Sequence, residues 1–147
     1  MLAENYLKDR VDNQIEWYNK NSSKNKFYYT TTKVVLTISA AIIPALTAYM
    51  DNNNIVIQIS IGFLSVLMAI LANLNGIFRF KENWVLYRNM CELLQIEKQL
   101  YIADAGKYKT SKDKDARFVE SIEGLLKNES LQWLSTLNSA KETEDKN

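Results

Sequence analysis

Histidine is absent from this 147-residue chain, cysteine occurs once (Cys91), proline once (Pro44), and glycine four times. Without histidine, Ser-His-Asp and Cys-His catalysis and nearly every zinc site are excluded. A single cysteine excludes an intrachain disulfide. A net charge of +1 argues against a nucleic-acid binder, whose footprint is a surplus of Lys and Arg. Charge is also missing from one long region. Charged residues make up 24% of the chain, so a random stretch of 45 residues should hold about 11. Val34 to Phe78 is a stretch of 45 residues and holds one, Asp51. The mean hydropathy of -0.24 conceals this, because two polar ends dilute one apolar middle.

What remains falls into four zones. Met1 to Lys33 is polar. Val34 to Met50 is an uncharged run of 17 residues, and Ile55 to Phe78 is an uncharged run of 24. Residues 51–54, Asp-Asn-Asn-Asn, join the runs. Arg79 to Asn147 is charged again and ends in a polar tail, 141–147. At about 1.5 Å per residue the second run spans about 36 Å, enough to cross a bilayer with some tilt. The first spans about 26 Å, and needs Tyr28 to Thr32 to continue the helix while Lys33 snorkels to the headgroups. Phe27, Tyr28, Tyr29 and Tyr49 flank the first run, and Phe78, Phe80 and Trp84 follow the second, as an interfacial belt requires. A soluble helix needs one polar face, and neither run has a charged one. The polar residues that come first make a signal peptide an unsuitable reading.

Basic residues predict orientation. Lys8, Arg10, Lys20, Lys24, Lys26 and Lys33 precede the first run; Arg79, Lys81 and Arg88 follow the second; the connecting loop holds none. The expected topology is multi-pass in the cell membrane, with both termini cytoplasmic. The polar segments are helical by period. Leu7, Val11, Ile15 and Tyr18 share a face. With no Gly or Pro between Gly76 and Gly106, the helix after the second run is expected to continue unbroken to about Ala103. Tyr87, Cys91, Leu94 and Tyr101, with Leu86, Met90, Leu93 and Leu100, form its apolar faces. Gly106 is the expected stop. Asp113 or Asp115 is the expected cap of a last helix carrying Phe118, Ile122, Leu125, Leu126, Trp133 and Leu137.

Function must come from helix faces. Gln58, Gly62, Ser65, Ala69, Ala72 and Gly76 step by three and four along the second run, and every member is small or polar. Asn73 and Asn75 add polarity near its end. A shorter stripe, Thr37, Ala41, Ala45 and Ala48, lies on the first run, with Pro44 as a candidate kink. Such stripes let backbones approach closely in lipid, within a hairpin or between protomers. Intramembrane polar groups can also line a water path. Arg10, Gln14 and Trp17, with Trp84, Arg88, Glu92 and Glu97, are the candidates for a structural network: Arg88 and Glu92 pair at four residues' spacing, and Arg10 is expected to reach Glu92 or Glu97. Gly106-Lys107-Tyr108-Lys109 lacks the spacing of a phosphate loop and reads as a solvated or headgroup-contacting loop. No catalytic, cofactor or metal constellation is present in the sequence, and an enzyme is not expected.

The order Tyr6-Leu7, Arg10, Gln14, Trp17-Tyr18, then Ile43-Pro44, then Phe80, Asn83-Trp84, Tyr87-Arg88, Glu92, Glu97, Leu100-Tyr101, Gly106 and Tyr108, and finally Phe118, Ile122, Glu129 and Trp133 resembles the SLATT group of bacterial two-transmembrane domains. Within it, the likeness is to a subgroup catalogued as a domain of unknown function. Trp-Tyr and Asn-Trp-x-x-Tyr-Arg are its more specific elements. The resemblance implies a membrane effector that forms pores in nucleotide-signalled conflict and anti-phage systems. It also implies a nucleotide messenger or sensor protein as a partner, acting on the helical bundle or through another chain.

The resulting expectation is an all-α integral membrane hairpin whose long helices extend into a cytoplasmic bundle. It would form one domain over 1–140: a cytoplasmic helix 1–33, spans 34–50 and 55–78, an external loop 51–54, and cytoplasmic helices 79–140. Expected partners are the lipid bilayer and further copies of the chain, with no nucleic acid. The leading functional expectation is an oligomeric pore-forming effector. The alternative is a membrane-anchored interaction or scaffold module without a pore.

Overall fold

The computed structural model describes residues 5–48 and 54–144, with side chains as far as 131. Tyr49, most of the connecting loop, the end of the tail, and the side chains of Trp133 and Leu137 therefore lie outside the described residues. All regular structure among the described residues is helical. A π-helical turn, Leu7–Asp12, leads into α1, Asn13–Ala48. Helix α2 is Ile55–Phe78, α3 is Phe80–Ile102, a 3-10 turn covers Gly106–Tyr108, and α4 is Lys114–Glu144. Two compact units divide the chain. One comprises the described residues up to Lys20 and those from Leu86 onward; the other runs from Asn21 through Val85.

The Asn21–Val85 unit carries the two apolar runs. Tyr28 to Thr32 are helical, so α1 supplies the extra length that the first run lacks. Both apolar helices are long enough to cross a membrane by length and composition. No residue of α2 is buried as a whole. Ile59, Phe63, Val66, Ile70 and Ile77 are all exposed, as is Ile38 on α1. Apolar surface of this extent is expected to meet another apolar phase. Five polar side chains within the runs find an acceptor inside their own helices. Thr37, Thr47, Ser60, Ser65 and Asn73 each donate to the carbonyl four residues earlier, at 2.8 Å. Pro44 is accommodated within continuous α1.

The expected continuous helix after the second run is interrupted at Arg79. Its backbone is left-handed, φ 47° and ψ 44°. The Arg79 N–H donates to Asn75 O at 3.2 Å, closing α2 in the single-bond left-handed cap. Asn83 bridges the break: its N–H donates to Arg79 O at 3.0 Å and its Nδ2 to Phe78 O at 3.0 Å. Neither glycine nor proline marks this turn. A non-glycine residue takes it at a cost of about 1–2 kcal/mol.

The other unit holds the core. Val11, Tyr18, Met90, Cys91, Leu94, Tyr108, Phe118 and Ile122 are buried. Tyr6, Leu7, Ile15, Tyr87, Leu100, Tyr101, Leu125 and Leu126 pack against them. On α3, Met90, Cys91 and Leu94 make one inward stripe; on α4, Phe118, Ile122, Leu125 and Leu126 do the same at helical spacing. Leu93, expected on an apolar face, is exposed. Helix α3 ends earlier than Gly106. Asp104 is left-handed at φ 51°. Ala105 N–H donates to Leu100 O at 3.0 Å, and Asp104 N–H to Tyr101 O at 3.4 Å. This paired 6→1 and 5→2 bonding is a Schellman cap. Gly106, at φ 57°, serves the turn that follows. That turn buries Tyr108, so Gly106-Lys107-Tyr108-Lys109 is not simply a solvated loop. Asp113 caps α4, its Oδ1 accepting from Ala116 N–H at 3.0 Å.

Candidate functional site

The stripe on α2 lies on an uncovered face. Gly62, Ser65, Ala69, Ala72, Asn73 and Gly76 are exposed, and Gln58 is half-buried. A Cβ built on Gly62 or Gly76 would meet nothing within 4 Å. The glycines are therefore not required by packing within the protomer. Thr37, Ala41, Pro44, Ala45 and Ala48 on α1 are likewise exposed. The most covered positions of the runs are others: Ser39 is buried, and Leu36, Ile43, Ile57, Ile61, Leu64, Met68 and Leu71 are half-buried. Ser65 and Asn73 have already spent a donor on their own backbone.

An aromatic and cationic belt sits where the apolar runs give way to charge. Tyr29 stacks on Trp84 at 6.3 Å, Tyr28 lies 5.5 Å from Phe80, and Phe78 stacks on Phe80 at 5.4 Å. Lys26 lies over the Trp84 ring at 5.5 Å and Lys33 over the Tyr29 ring at 6.0 Å. Ser22 Oγ donates to Trp84 O at 3.4 Å. Such rings combine an apolar body with a polar edge, which suits a membrane–water boundary.

In the core unit, tyrosines tie elements together through carboxylates. Tyr6 OH donates to Glu123 at 2.7 Å, Tyr18 OH to Glu129 at 2.7 Å, and Tyr101 OH to Asp115 at 2.7 Å. Tyr108 OH donates to Glu97, which also pairs with Lys107 at 2.6 Å. Burial, and then the adjacent Glu123, push the Tyr6 phenol up to about 12. Burial and Glu97 push Tyr108 up to about 12. Tyr18 rises too, from burial first and Glu129 second. The Tyr6 hydrogen bond, then Arg10, holds the Glu123 carboxyl below the usual range. Burial raises the Cys91 thiol, so its reactive thiolate is disfavoured.

The network expected around Arg10 is wired differently. Arg10 reaches Glu123 on α4, Nε to Oε1 at 3.2 Å, rather than Glu92 or Glu97. Arg88 and Glu92 pair within α3 at 2.7 Å. Trp17 packs edge-on against Tyr87 at 5.6 Å and Tyr18 at 5.0 Å. Gln14 is half-buried beside them in sequence, and Trp84 belongs to the belt. Sequence reasoning missed Glu123 altogether. A single carboxylate among several on an amphipathic helix carries no mark of its partner. Tyr108 was legible only as a loop tyrosine, although its neighbour Gly106 signalled a turn. Among the described residues no group of His, Cys, Asp or Glu is placed to hold a metal.

No curated protein and no solved structure matches the chain. A family match covers residues 13–116, from the start of α1 through the first turn of α4. It therefore takes in both apolar helices, the Arg79 break with its Asn83 bridge, the belt, and the buried turn at Tyr108. The chain belongs to the family described as protein of unknown function, DUF4231.

Proposed function

We propose that the chain is a two-span membrane protein with both termini and the core unit in the cytoplasm, and that it assembles through the small-residue faces of its spans into an oligomeric pore-forming effector. The observation that carries this reading is the uncovered stripe on α2. Gly62 and Gly76 face open space in an otherwise apolar hairpin, and a small face exposed in lipid is one against which a second helix packs closely. The likeness of the Trp-Tyr and Asn-Trp-x-x-Tyr-Arg elements to the SLATT group supports a role in nucleotide-signalled defence. The trigger, a nucleotide messenger or a sensor protein, would bias the spans between closed and wetted arrangements.

One observation favours the second reading, a tethered scaffold without a pore. Ser65 and Asn73 satisfy a donor within their own helix, so the stripe needs no water to solvate them. The test has three steps. Alkaline carbonate extraction and maleimide labelling of Asn54→Cys against Lys20→Cys establish insertion and topology. Native mass spectrometry in nanodiscs then gives the stoichiometry; a ring of four or more chains supports the pore, and a stable monomer or dimer supports the scaffold. Ion flux from liposomes should fall in Gln58→Leu and Ser65→Leu with assembly unchanged. Unaltered flux in both variants rejects the stripe as pore lining.

A further inference from the structure

Lys33, Arg79 and Lys81 border one cavity of about 280 Å³ together with Tyr29, Asn75 and Glu82. Three cations face one carboxylate, so the lining carries a surplus of two positive charges. Among the described residues none of the three cations makes an ion pair; Lys33 has only the face of the Tyr29 ring, at 6.0 Å. The cavity also holds the one buried side-chain oxygen or nitrogen without a hydrogen-bond partner among the described residues, Asn75 Oδ1. A buried acceptor left unpaired is costly, so a donor from outside the chain is its natural complement. Finally, Arg79 occupies a left-handed backbone position at φ 47°. Glycine takes that conformation freely, so an arginine there is not explained by the turn. Strained residues of this kind concentrate where a ligand is held.

We propose that this cavity binds the phosphate of an anionic phosphate ester, with Lys33, Arg79 and Lys81 as its cationic clamp and Asn75 Oδ1 accepting from a hydroxyl of the same ligand. The proposal rests on the membrane reading for one of its two sources. Lys33 directly precedes the first apolar run and Arg79 directly follows the second, which is the level of lipid headgroups. A phosphatidylglycerol headgroup has both the phosphodiester and the hydroxyls; a soluble phosphate ester has the same chemistry. Basic pockets beside spans are a general way to hold anionic headgroups.

The experiment uses the full chain in mild detergent, titrated with phosphatidylglycerol, phosphatidylcholine or inorganic phosphate and read by native mass spectrometry. Phosphatidylglycerol should be retained at least tenfold better than phosphatidylcholine. Arg79→Gly with Lys81→Gln should lose that tenfold preference. Arg79→Gly keeps the left-handed turn, so loss of folding does not confuse the result. Lys20→Gln with Lys24→Gln removes the same charge elsewhere on α1 and should change retention less than twofold. Asn75→Ala should weaken retention about threefold. Displacement of the lipid by millimolar inorganic phosphate assigns the site to a soluble ester. Equal losses in the cavity and control variants overturn the proposal, since diffuse attraction would then account for binding. If carbonate extracts the chain yet inorganic phosphate still protects it from thermal unfolding, and does so only with Arg79 and Lys81 intact, the site stands and the membrane reading falls. A carbonate-resistant chain indifferent to phosphatidylglycerol and phosphate overturns the site alone.

Discussion

The two units solve the same problem, satisfying polar groups, in opposite ways. In the Asn21–Val85 unit several hydroxyls and amides of the apolar runs turn back on their own helix, as Thr37, Ser60, Ser65 and Asn73 do. In the core unit polar groups reach across elements, as Tyr6, Tyr18 and Tyr108 do toward Glu123, Glu129 and Glu97. A helix that meets lipid cannot leave a donor for water and does best alone. A helix that meets water on one side can link to a neighbour at its edge. The first arrangement leaves the helix faces interchangeable, whereas the second specifies which helix lies beside which.

The largest effect that should separate the units is core truncation. Phe118→Ala, at a fully buried position stacked 4.2 Å from Tyr101, should cost about 3–5 kcal/mol. Phe63→Ala on the exposed face of α2 should change the stability of the detergent-solubilised protomer by less than about 0.5 kcal/mol. Thermal melts of both variants check this, and equal losses would remove the distinction. Next comes Gly62→Ile. It should dissociate assemblies in nanodiscs by bulk at the close-approach face, with helical content by circular dichroism unchanged. Third is Arg79→Gly, expected to raise protomer stability by about 1 kcal/mol by relieving the left-handed backbone; a fall would mean that its side chain stabilises the fold.

The smallest effect concerns the Tyr6–Arg10–Glu123 group. Glu123 sits below its ordinary value when folded, so its contribution is complete above the unfolded value of about 4.3 and is lost as pH falls through the lower folded value. The tyrosines run the other way. Tyr6 and Tyr108 are raised to about 12, so their contribution is complete below about 10 and is lost as pH rises toward 12. Arg10 and Glu123 are each about half exposed, so a double-mutant cycle should give a coupling of roughly 0.2–1 kcal/mol. The Arg10–Glu92 cycle should be additive. Melting curves of Tyr6→Phe across pH should lose part of the alkaline decline.

Much of this was legible in residue order. The ends of α2 coincide with an uncharged run, because charge at either side cannot enter an apolar helix cheaply. The inward faces of α3 and α4 follow from spacing: Cys91 with Leu94, and Phe118 with Ile122. The cap at Asp113 follows from a short carboxylate before a helical pattern. The Arg79 break was not legible. It depends on Asn83 reaching back five residues to Phe78 O, and an asparagine on a polar face carries no sign of that. Nor was the exposed state of the stripe. Period alone says that small residues share a face, not whether a neighbour covers it.

Sequence by itself determined that this chain is helical, that two of its stretches suit an apolar phase, and that histidine chemistry and an intrachain disulfide are outside its means. These are local properties, set by composition and period. Tertiary structure decided that Arg10 answers to Glu123, that Tyr108 is core, and that Lys33, Arg79 and Lys81, without an ion pair among the described residues, border the same cavity as the unsatisfied Asn75 Oδ1. Those outcomes depend on which distant residues come within a few ångströms, and one-dimensional order does not encode that at the level of single charges.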